Sequence, residues 1–239
     1  MGMLGSLYVT PKQNFAHIGP DGPLGPDAYP VFAKLPPGKG PTHQPGYKYA
    51  YNDGDGSTYY DVEKELQVSA FDRNFHEQHI LVQPLPFSEL DESYPLINGR
   101  GYPDTVRAAA VTNTKVQEVL GLDEPYPSQK LDSRVVATAG QRVLLRLSNV
   151  SLSDFHTLTV LGIPMRVMGK DAKLLRGPTG VDLTYETSSI TLGAGETADV
   201  ILNTTGITPG TYFLYDARLN HLCNDEEDFG GMMTEILIQ

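Results

Sequence analysis

The sequence predicts an all-β protein, built as a Greek-key β-sandwich or barrel. Apolar runs of roughly four to seven residues recur about every 8–12 residues, separated by glycine, proline or asparagine turns. Strands do not alternate with helical patterns, as a parallel sheet would require. The sequence also has no internal repeat at the periods of about 20–50 residues that solenoids show. These observations favour a sandwich or barrel over an α/β fold or a repeat protein.

The predicted elements follow one another from residue 62 onward. Residues 62–71 alternate polar and apolar side chains, which is typical of a half-buried strand. Residues 94–98 read as a strand that enters a glycine turn, and residues 114–120 as one or two helical turns. The remaining predicted strands are 135–137, 143–147, 156–161, 165–168, 189–192, 199–202, 211–215 and 234–238.

The N-terminal part differs in composition from the rest of the chain. Residues 3–9, Met-Leu-Gly-Ser-Leu-Tyr-Val, are typical of a short buried strand whose partner strands are expected elsewhere. Residues 10–56 hold nine of the 18 prolines and many glycines, which predicts a long loop. We therefore divide the chain into a first segment at 1–10, a linker at 11–58 and one domain at 59–239.

Composition excludes several classes of function. The 239-residue chain has 18 basic and 29 acidic side chains and a net charge of −11, so it lacks the basic footprint of a nucleic-acid-binding protein. Its single cysteine excludes an intrachain disulfide and any metal site built from several thiolates. No run reaches the ~18 apolar residues of a membrane span. The first residues also lack the pattern of a signal peptide.

Several weaker motifs are best explained without chemistry. Asp53-Gly-Asp-Gly-Ser57 begins like a calcium loop, but Thr58 stands where glycine is needed and Lys64 where the last ligand would be. His76 and His79, on a predicted strand-to-loop segment, do not share one face. The acidic run 224–228 is expected to be a solvated loop. No Gly-x-Ser-x-Gly motif supports a serine nucleophile.

The last 100 residues carry the most informative motifs, in a fixed order. A glycine-led strand ends in asparagine, a histidine-bearing strand ends in glycine, and a Gly-Glu-x-x-Asp-Val strand follows. A Gly-x-Tyr-Phe-Leu strand then enters a loop, and a Gly-Met pair precedes the final strand. These motifs occupy residues 140–149, 156–162, 195–200, 210–214 and 231–238.

This order resembles the cupredoxin domains of multicopper oxidases, the superfamily of laccase and ascorbate oxidase. The resemblance covers roughly residues 60–239, and segments 63–79 and 94–105 resemble the opening strands of that family's second domain. Residues 1–10 resemble the last strand of the family's first domain. The resemblance therefore implies a cupredoxin-like fold at 59–239, preceded by a piece of another cupredoxin domain.

The resemblance also assigns the positions of the copper ligands. A type 1 copper centre uses one cysteine thiolate, two histidines and a weak axial ligand such as methionine. Aligned on the family motifs, the two histidines fall on His156 and His221, the axial methionine on Met232 and the cysteine on Asp216. Cys223 lies two residues beyond His221, outside the ligand position. The positions of the trinuclear-cluster histidines are held by Thr159, Leu161, Tyr215 and Ala217.

The implied function is that of a segment of a multicopper oxidase-like oxidoreductase. By resemblance, the parent protein holds copper and couples the oxidation of phenols or metal ions to the reduction of oxygen to water. This domain would be copper-depleted, inactive alone and packed between neighbouring cupredoxin domains of the same polypeptide. A periplasmic or extracellular location is expected on the same basis.

Three alternatives stay open from the residues alone. His156, Asp216, His221 and Met232 form either a degenerate type 1-like site for zinc or copper(II), or a polar patch whose groups bond one another. The chain is alternatively a copper-free scaffold or binding module. In the third alternative, the 224–228 loop delivers metal ions with His221 and Cys223.

Overall fold

The computed structural model describes residues 5–11, 14, 48–53, 55–81, 84–108, 111–113, 126–128 and 131–239. In these residues strands dominate, as the sequence predicts, and one α-helix is present. The helix is α1 (Arg73–Leu81). The strands are β1 (Lys48–Tyr49), β2 (Tyr59–Tyr60), β3 (Val62–Phe71), β4 (Tyr94–Ile97), β5 (Val111–Asn113), β6 (Tyr126–Ser128), β7 (Val135–Ala137), β8 (Arg142–Asn149), β9 (His156–Val160), β10 (Met165–Lys170), β11 (Lys173–Leu174), β12 (Tyr185–Thr187), β13 (Ser189–Leu192), β14 (Thr197–Asn203), β15 (Gly210–Asp216) and β16 (Met233–Ile238).

Two sheets form the sandwich. The larger has the order β11-β10-β14-β8-β3-β4, with β12 paired to β10, and the smaller has the order β13-β9-β15-β16-β7. Most neighbours are antiparallel, but β3 runs parallel to β8 and β16 runs parallel to β7. The predicted all-β sandwich is therefore confirmed.

The main core lies between the two sheets, because alternate side chains of each strand point inward. On β3 the inward residues are Leu66 and Val68, both fully buried, and the smaller sheet contributes Leu158, Leu214 and Ile236. The polar residues between them on β3 face outward. This alternation is the pattern that the sequence shows at 62–71.

The larger sheet is covered on its outer face as well. Strand β8 is buried over five consecutive residues, Val143–Leu147, and Leu144 packs outward in a second cluster with Ala50, Tyr60, Met168 and Ile201. Residues 48–60, in which β1 pairs with β2, supply this cover. A strand covered on both faces tends to read as a continuous apolar run, and Val143–Leu145 show that pattern before Arg146 interrupts it.

A charged network closes the same outer face beside this cluster. Arg146 is about nine-tenths buried and forms ion pairs with Glu63 and with Asp199, the latter at 3.3 Å between Nη1 and Oδ1. The hydroxyl of Tyr51 donates to Oδ2 of Asp199 at 2.5 Å. Because each charge has a partner, the network holds the 48–60 segment without leaving an unpaired buried ion.

One sequence prediction in this region is wrong, and another is not tested. The segment that carries His76 and His79, predicted as strand-to-loop, lies in α1, which begins after Asp72. The carboxylate of Asp72 accepts a hydrogen bond from the backbone N–H of Phe75 at 2.9 Å. An aspartate at this position caps a helix. The short buried strand predicted at 3–9 stays a prediction, because its partner strands are expected elsewhere; described residues 5–9 form no strand here, and Leu7 and Val9 are exposed. No described strand pairs with this segment.

The other predicted elements either lie outside the described residues or agree with the observed strands. The helical turns predicted at 114–120 and most of the linker at 11–58 lie outside the described part of the chain. The strands predicted from residue 135 onward are each present, with ends shifted by no more than two residues. Such shifts are ordinary for element ends.

The two-sided burial of β8 makes its leucines strong determinants of stability. We expect Leu145→Ala to lower the free energy of unfolding by about 2–5 kcal/mol, because Leu145 is fully buried and leaves a cavity. Chemical denaturation followed by circular dichroism measures the change. Leu161→Ala, at an exposed position in the bend after β9, is the matched control and should cost less than about 1 kcal/mol. Equal effects of the two substitutions would contradict the assigned core.

Candidate functional site

Three of the four predicted site residues meet at one end of the sandwich. His156 begins β9, Asp216 ends β15, and His221 closes a short 3-10 turn at Leu219–His221. Strands β9 and β15 are hydrogen-bonded neighbours, with Asp216 opposite Leu158. This pairing places the ends of the two strands side by side, and the turn then brings His221 back over them.

The two imidazoles converge on one carboxylate oxygen. Nδ1 of His156 lies 2.8 Å and Nδ1 of His221 2.6 Å from Oδ2 of Asp216, and the two ring centroids are 5.0 Å apart. An ionised carboxylate only accepts hydrogen bonds, so both Nδ1–H groups donate to it. His156 and Asp216 are fully buried, and His221 is nearly so.

The other polar atoms of the cluster also have partners. Oδ1 of Asp216 accepts from the backbone N–H of Arg218 at 3.0 Å and of Thr157 at 3.3 Å. The hydroxyl of Ser151 lies 2.7 Å from Nε2 of His156 and donates to it when that nitrogen carries no proton. Described contacts thus satisfy both oxygens of the carboxylate and both nitrogens of the His156 ring.

These hydrogen bonds set the protonation of Asp216. Burial raises the pKa of Asp216, but hydrogen bonds from His156, His221 and the Arg218 backbone outweigh burial and hold that pKa well below its usual range. The carboxylate is therefore ionised at neutral pH. A buried anion of this kind is stable only while its donors stay in place.

The loop that carries Ser151 has its own support, which sequence reasoning missed. The side-chain amide of Asn149 donates to the carbonyls of Asp154 and Leu192, and its Oδ1 accepts from the backbone N–H of Ser151 at 2.8 Å. Asp154 in turn lies 3.4 Å from Nε2 of His221. The Asn-Val-Ser pattern is a turn signal in the sequence. Nothing in the sequence identified its histidine partner.

Met232, the fourth predicted residue, approaches the cluster through its backbone. Its N–H donates to the carbonyl of His221, and its own carbonyl accepts from the N–H of Asp216. The side chain is fully buried in the main core. Gly231 before it has φ = +66°, and a Cβ there would lie 2.1 Å from the carbonyl oxygen of His221, so only glycine fits this close return of the loop.

Cys223 and the acidic run do not join the cluster. Sγ of Cys223 donates to the backbone carbonyl of Asn220 at 2.8 Å, and residues 225–229 are exposed. Among the described residues, the group of three metal-ligating side chains whose ligand atoms lie within 4.8 Å of one another is His156, Asp216 and His221.

Among the described residues, the calcium-loop-like motif at 53–57 and the His76/His79 pair also make contacts that do not bring them into the cluster. The carboxylate of Asp53 accepts from Thr58 and from backbone N–H groups, and Asp55 pairs with Arg176 at 2.7 Å. His76 packs against Phe71, and His79 lies three residues further along α1 and is exposed. The helix places both histidines on neighbouring positions, contrary to the strand-to-loop interpretation.

The residues of the cluster do not fit a type 1 copper centre. Such a centre needs a thiolate, whereas the group between the two imidazoles is the Asp216 carboxylate and the thiol of Cys223 bonds to the carbonyl of Asn220. The two Nδ1 atoms that would face a metal point at Asp216 at hydrogen-bond distance. Metal binding here requires that both nitrogens lose those protons first.

The fold and the converging histidines define a cupredoxin-like β-sandwich domain. The sequence pattern of the multicopper oxidase family matches residues 57–237, about three quarters of the chain, so the chain belongs to the multicopper oxidase family. This confirms the resemblance inferred from the motifs. A search of curated proteins gives no significant match.

Solved structures agree with this assignment at the level of the fold. The blue copper oxidase of Nitrosomonas europaea is similar with a TM-score of 0.54 and 19% identity, over 75% of this chain and 44% of that one. The multicopper oxidase mgLAC gives a TM-score of 0.55 and 16% identity over the same shares. The chain thus spans less than half the length of these two structures. No helix among the described residues is long and apolar enough to span a membrane.

The cluster predicts a pH-dependent stability. Asp216→Asn should lower the free energy of unfolding at pH 7 by at least about 3 kcal/mol, because two buried imidazole N–H groups lose their anionic acceptor. The folded pKa of Asp216 is depressed, so its stabilisation is present above the ordinary carboxyl pKa of about 3.9 and is lost as the pH falls below that value.

Denaturation from pH 7 to about pH 3 measures this effect. The difference between the wild-type chain and Asp216→Asn should shrink as the solution is acidified. Asp228→Asn, at an exposed position, is the control and should leave stability nearly unchanged. A difference that stays constant across this pH range would show that the charge of Asp216 is not the source of the stability.

Proposed function

We propose that this chain is part of a multicopper oxidase-like oxidoreductase and that its 59–239 domain is a copper-depleted structural domain. Residues 1–10 would be the last strand of a preceding cupredoxin domain, and residues 11–58 the linker. In this proposal, the domain positions neighbouring cupredoxin domains of the same polypeptide and shapes the surface near them. Alone it has no oxidase activity.

One observation carries the proposal. The carboxylate of Asp216 stands where the family's thiolate would, and its two oxygens are fully engaged by His156, His221 and two backbone N–H groups. A cluster that satisfies itself by hydrogen bonds is stable without a metal ion. The positions of the trinuclear-cluster histidines also hold non-ligands: Thr159, Leu161, Tyr215 and Ala217.

The activity of the parent protein follows from its family. A parent of this kind couples the oxidation of phenols or metal ions to the reduction of oxygen to water, with copper bound by the neighbouring domains. A periplasmic or extracellular site belongs to the same proposal.

A second candidate function is supported by the convergence of three donor atoms. His156, Asp216 and His221 are a two-histidine, one-carboxylate set whose ligand atoms lie within 4.8 Å of one another. Such a set suits zinc or copper(II) once the imidazole protons are released. In this alternative the domain is a metal-binding module.

Metal loading and oxygen uptake separate the two functions. We expect the purified chain, incubated with Zn²⁺ or Cu²⁺ and desalted, to retain no stoichiometric metal by elemental analysis. It should also consume no oxygen with a phenol or with Fe²⁺. Retention that His156→Ala abolishes and His79→Ala preserves would instead establish the metal-binding module. Catalytic oxygen uptake by the chain alone would refute the structural role.

Restoring the thiolate tests the assignment of Asp216 to the ligand position. Asp216→Cys places a thiol beside the two Nδ1 atoms, so in the background Cys223→Ser we expect copper(II) to give an intense thiolate-to-copper absorption band. Visible spectroscopy detects it. The control is Cys223→Ser with Asp216 intact, which should stay colourless. A folded double variant without the band would show that Asp216 does not occupy the ligand position.

A further inference from the structure

A large cavity lies on the outer face of the larger sheet, away from the histidine cluster. Its volume is about 1090 Å³, and its floor is the outward side of β3 with Gln67 and Ser69. Helix α1 forms one wall, and residues 5–8 cross another, where the side-chain amide of Gln67 donates to the hydroxyl of Ser6 at 3.1 Å. A cavity of this size holds a small organic molecule.

The lining carries negative charge without a compensating cation. Three carboxylates line it, Glu65, Asp72 and Glu92, and none of the described lining residues is lysine or arginine. Arg146 lies on the same outer face, opposite Glu65 in the β3–β8 register and 5.5 Å from the centroid of the Tyr8 ring, but its ion pairs are with two other carboxylates, Glu63 and Asp199. An electrostatic field of one sign in a concave site concentrates ions of the opposite sign.

The two buried carboxylates are fixed in place rather than free to turn away. Asp72 accepts from the backbone N–H groups of Phe75 and Asp91, and Glu92 accepts from two backbone N–H groups and from the hydroxyl of Ser153 at 2.7 Å. Both residues are 8% exposed. Glu65 is exposed at the rim and has no ion pair with any described residue.

The rest of the lining is apolar and aromatic. Phe71 and Phe75 flank the start of α1, and the ring of His76 packs against Phe71 with centroids 5.2 Å apart. Leu90 and Leu96 complete the apolar side. Aromatic faces beside carboxylates attract organic cations, because the ring quadrupole and the anion favour the same charge.

We propose that this cavity is a binding site for an organic ammonium ion with an apolar body. The apolar body lies against Phe71, Phe75 and Leu96, and the ammonium group faces the carboxylates, with Glu65 as the group that is free to pair with it. This site shares no residue with the His156–Asp216–His221 cluster. It is independent of the function proposed above.

A series of ligands that differ only in charge tests the site on the whole chain. Phenethylammonium, 2-phenylethanol and phenylacetate carry the same ring with a positive, neutral or negative head. We expect calorimetry at pH 7 to give a dissociation constant for the ammonium ion at least about tenfold below that of the alcohol, and no binding of the carboxylate. Equal binding of the cation and the alcohol, or no binding of the cation, would overturn the proposal.

Variants assign the binding to this cavity. Glu65→Gln should reduce the preference for the cation over the alcohol, whereas Glu186→Gln, at an exposed position on β12, should leave it unchanged. Ser69→Phe fills the floor and should abolish binding of both ligands, with chemical denaturation confirming that the variant is folded. A cation preference that survives both Glu65→Gln and Ser69→Phe would place the binding elsewhere and refute the site.

Discussion

The carboxylate of Asp216 is the constraint on which the loop end of this domain depends. Its two oxygens accept four hydrogen bonds, from two imidazoles and two backbone N–H groups that belong to different elements. One carboxylate therefore joins three elements by hydrogen bonds: the end of β15, the start of β9 and the turn at His221. Since the site is closed to solvent, water cannot replace any of these donors, and the arrangement holds only as a complete set.

The larger sheet shows a second constraint, which acts through its two covered faces. Residues 48–60 pack on its outer side, and the Arg146 network borders that apolar cover with paired charges. The described residues between 48 and 60 thus pack against the sandwich directly. Beyond this cover, β3 leaves its outer face open toward α1, and the acidic cavity forms there. The outer face of the larger sheet therefore has two parts. Apolar side chains cover the part over β8, and the part over β3 forms the cavity.

Sequence patterns predict the strands well and the site only in part. The alternation at β3 and the apolar run Val143–Leu145 in β8 are local signals of one-sided and two-sided burial, and both agree with the structure. Helix α1 was missed because its sequence has weak apolar periodicity and its capping residue, Asp72, follows a long strand directly. The histidine and aspartate positions came from the order of family motifs. The roles of Ser151 and Asn149 depend on contacts between β8, β9 and β13, and no local pattern encodes such contacts.

The return of the loop at Gly231 has a consequence for how this domain varies. Because Gly231 sits against the carbonyl of His221, and Met232 bonds the same carbonyl, the chain leaves and re-enters the buried cluster at fixed points. The exposed residues 225–229 between these points transmit little strain to the cluster. We therefore expect changes of length or charge within residues 225–229 to leave the geometry of the buried cluster intact. Substitution at the hinge glycine, in contrast, would displace His221 itself.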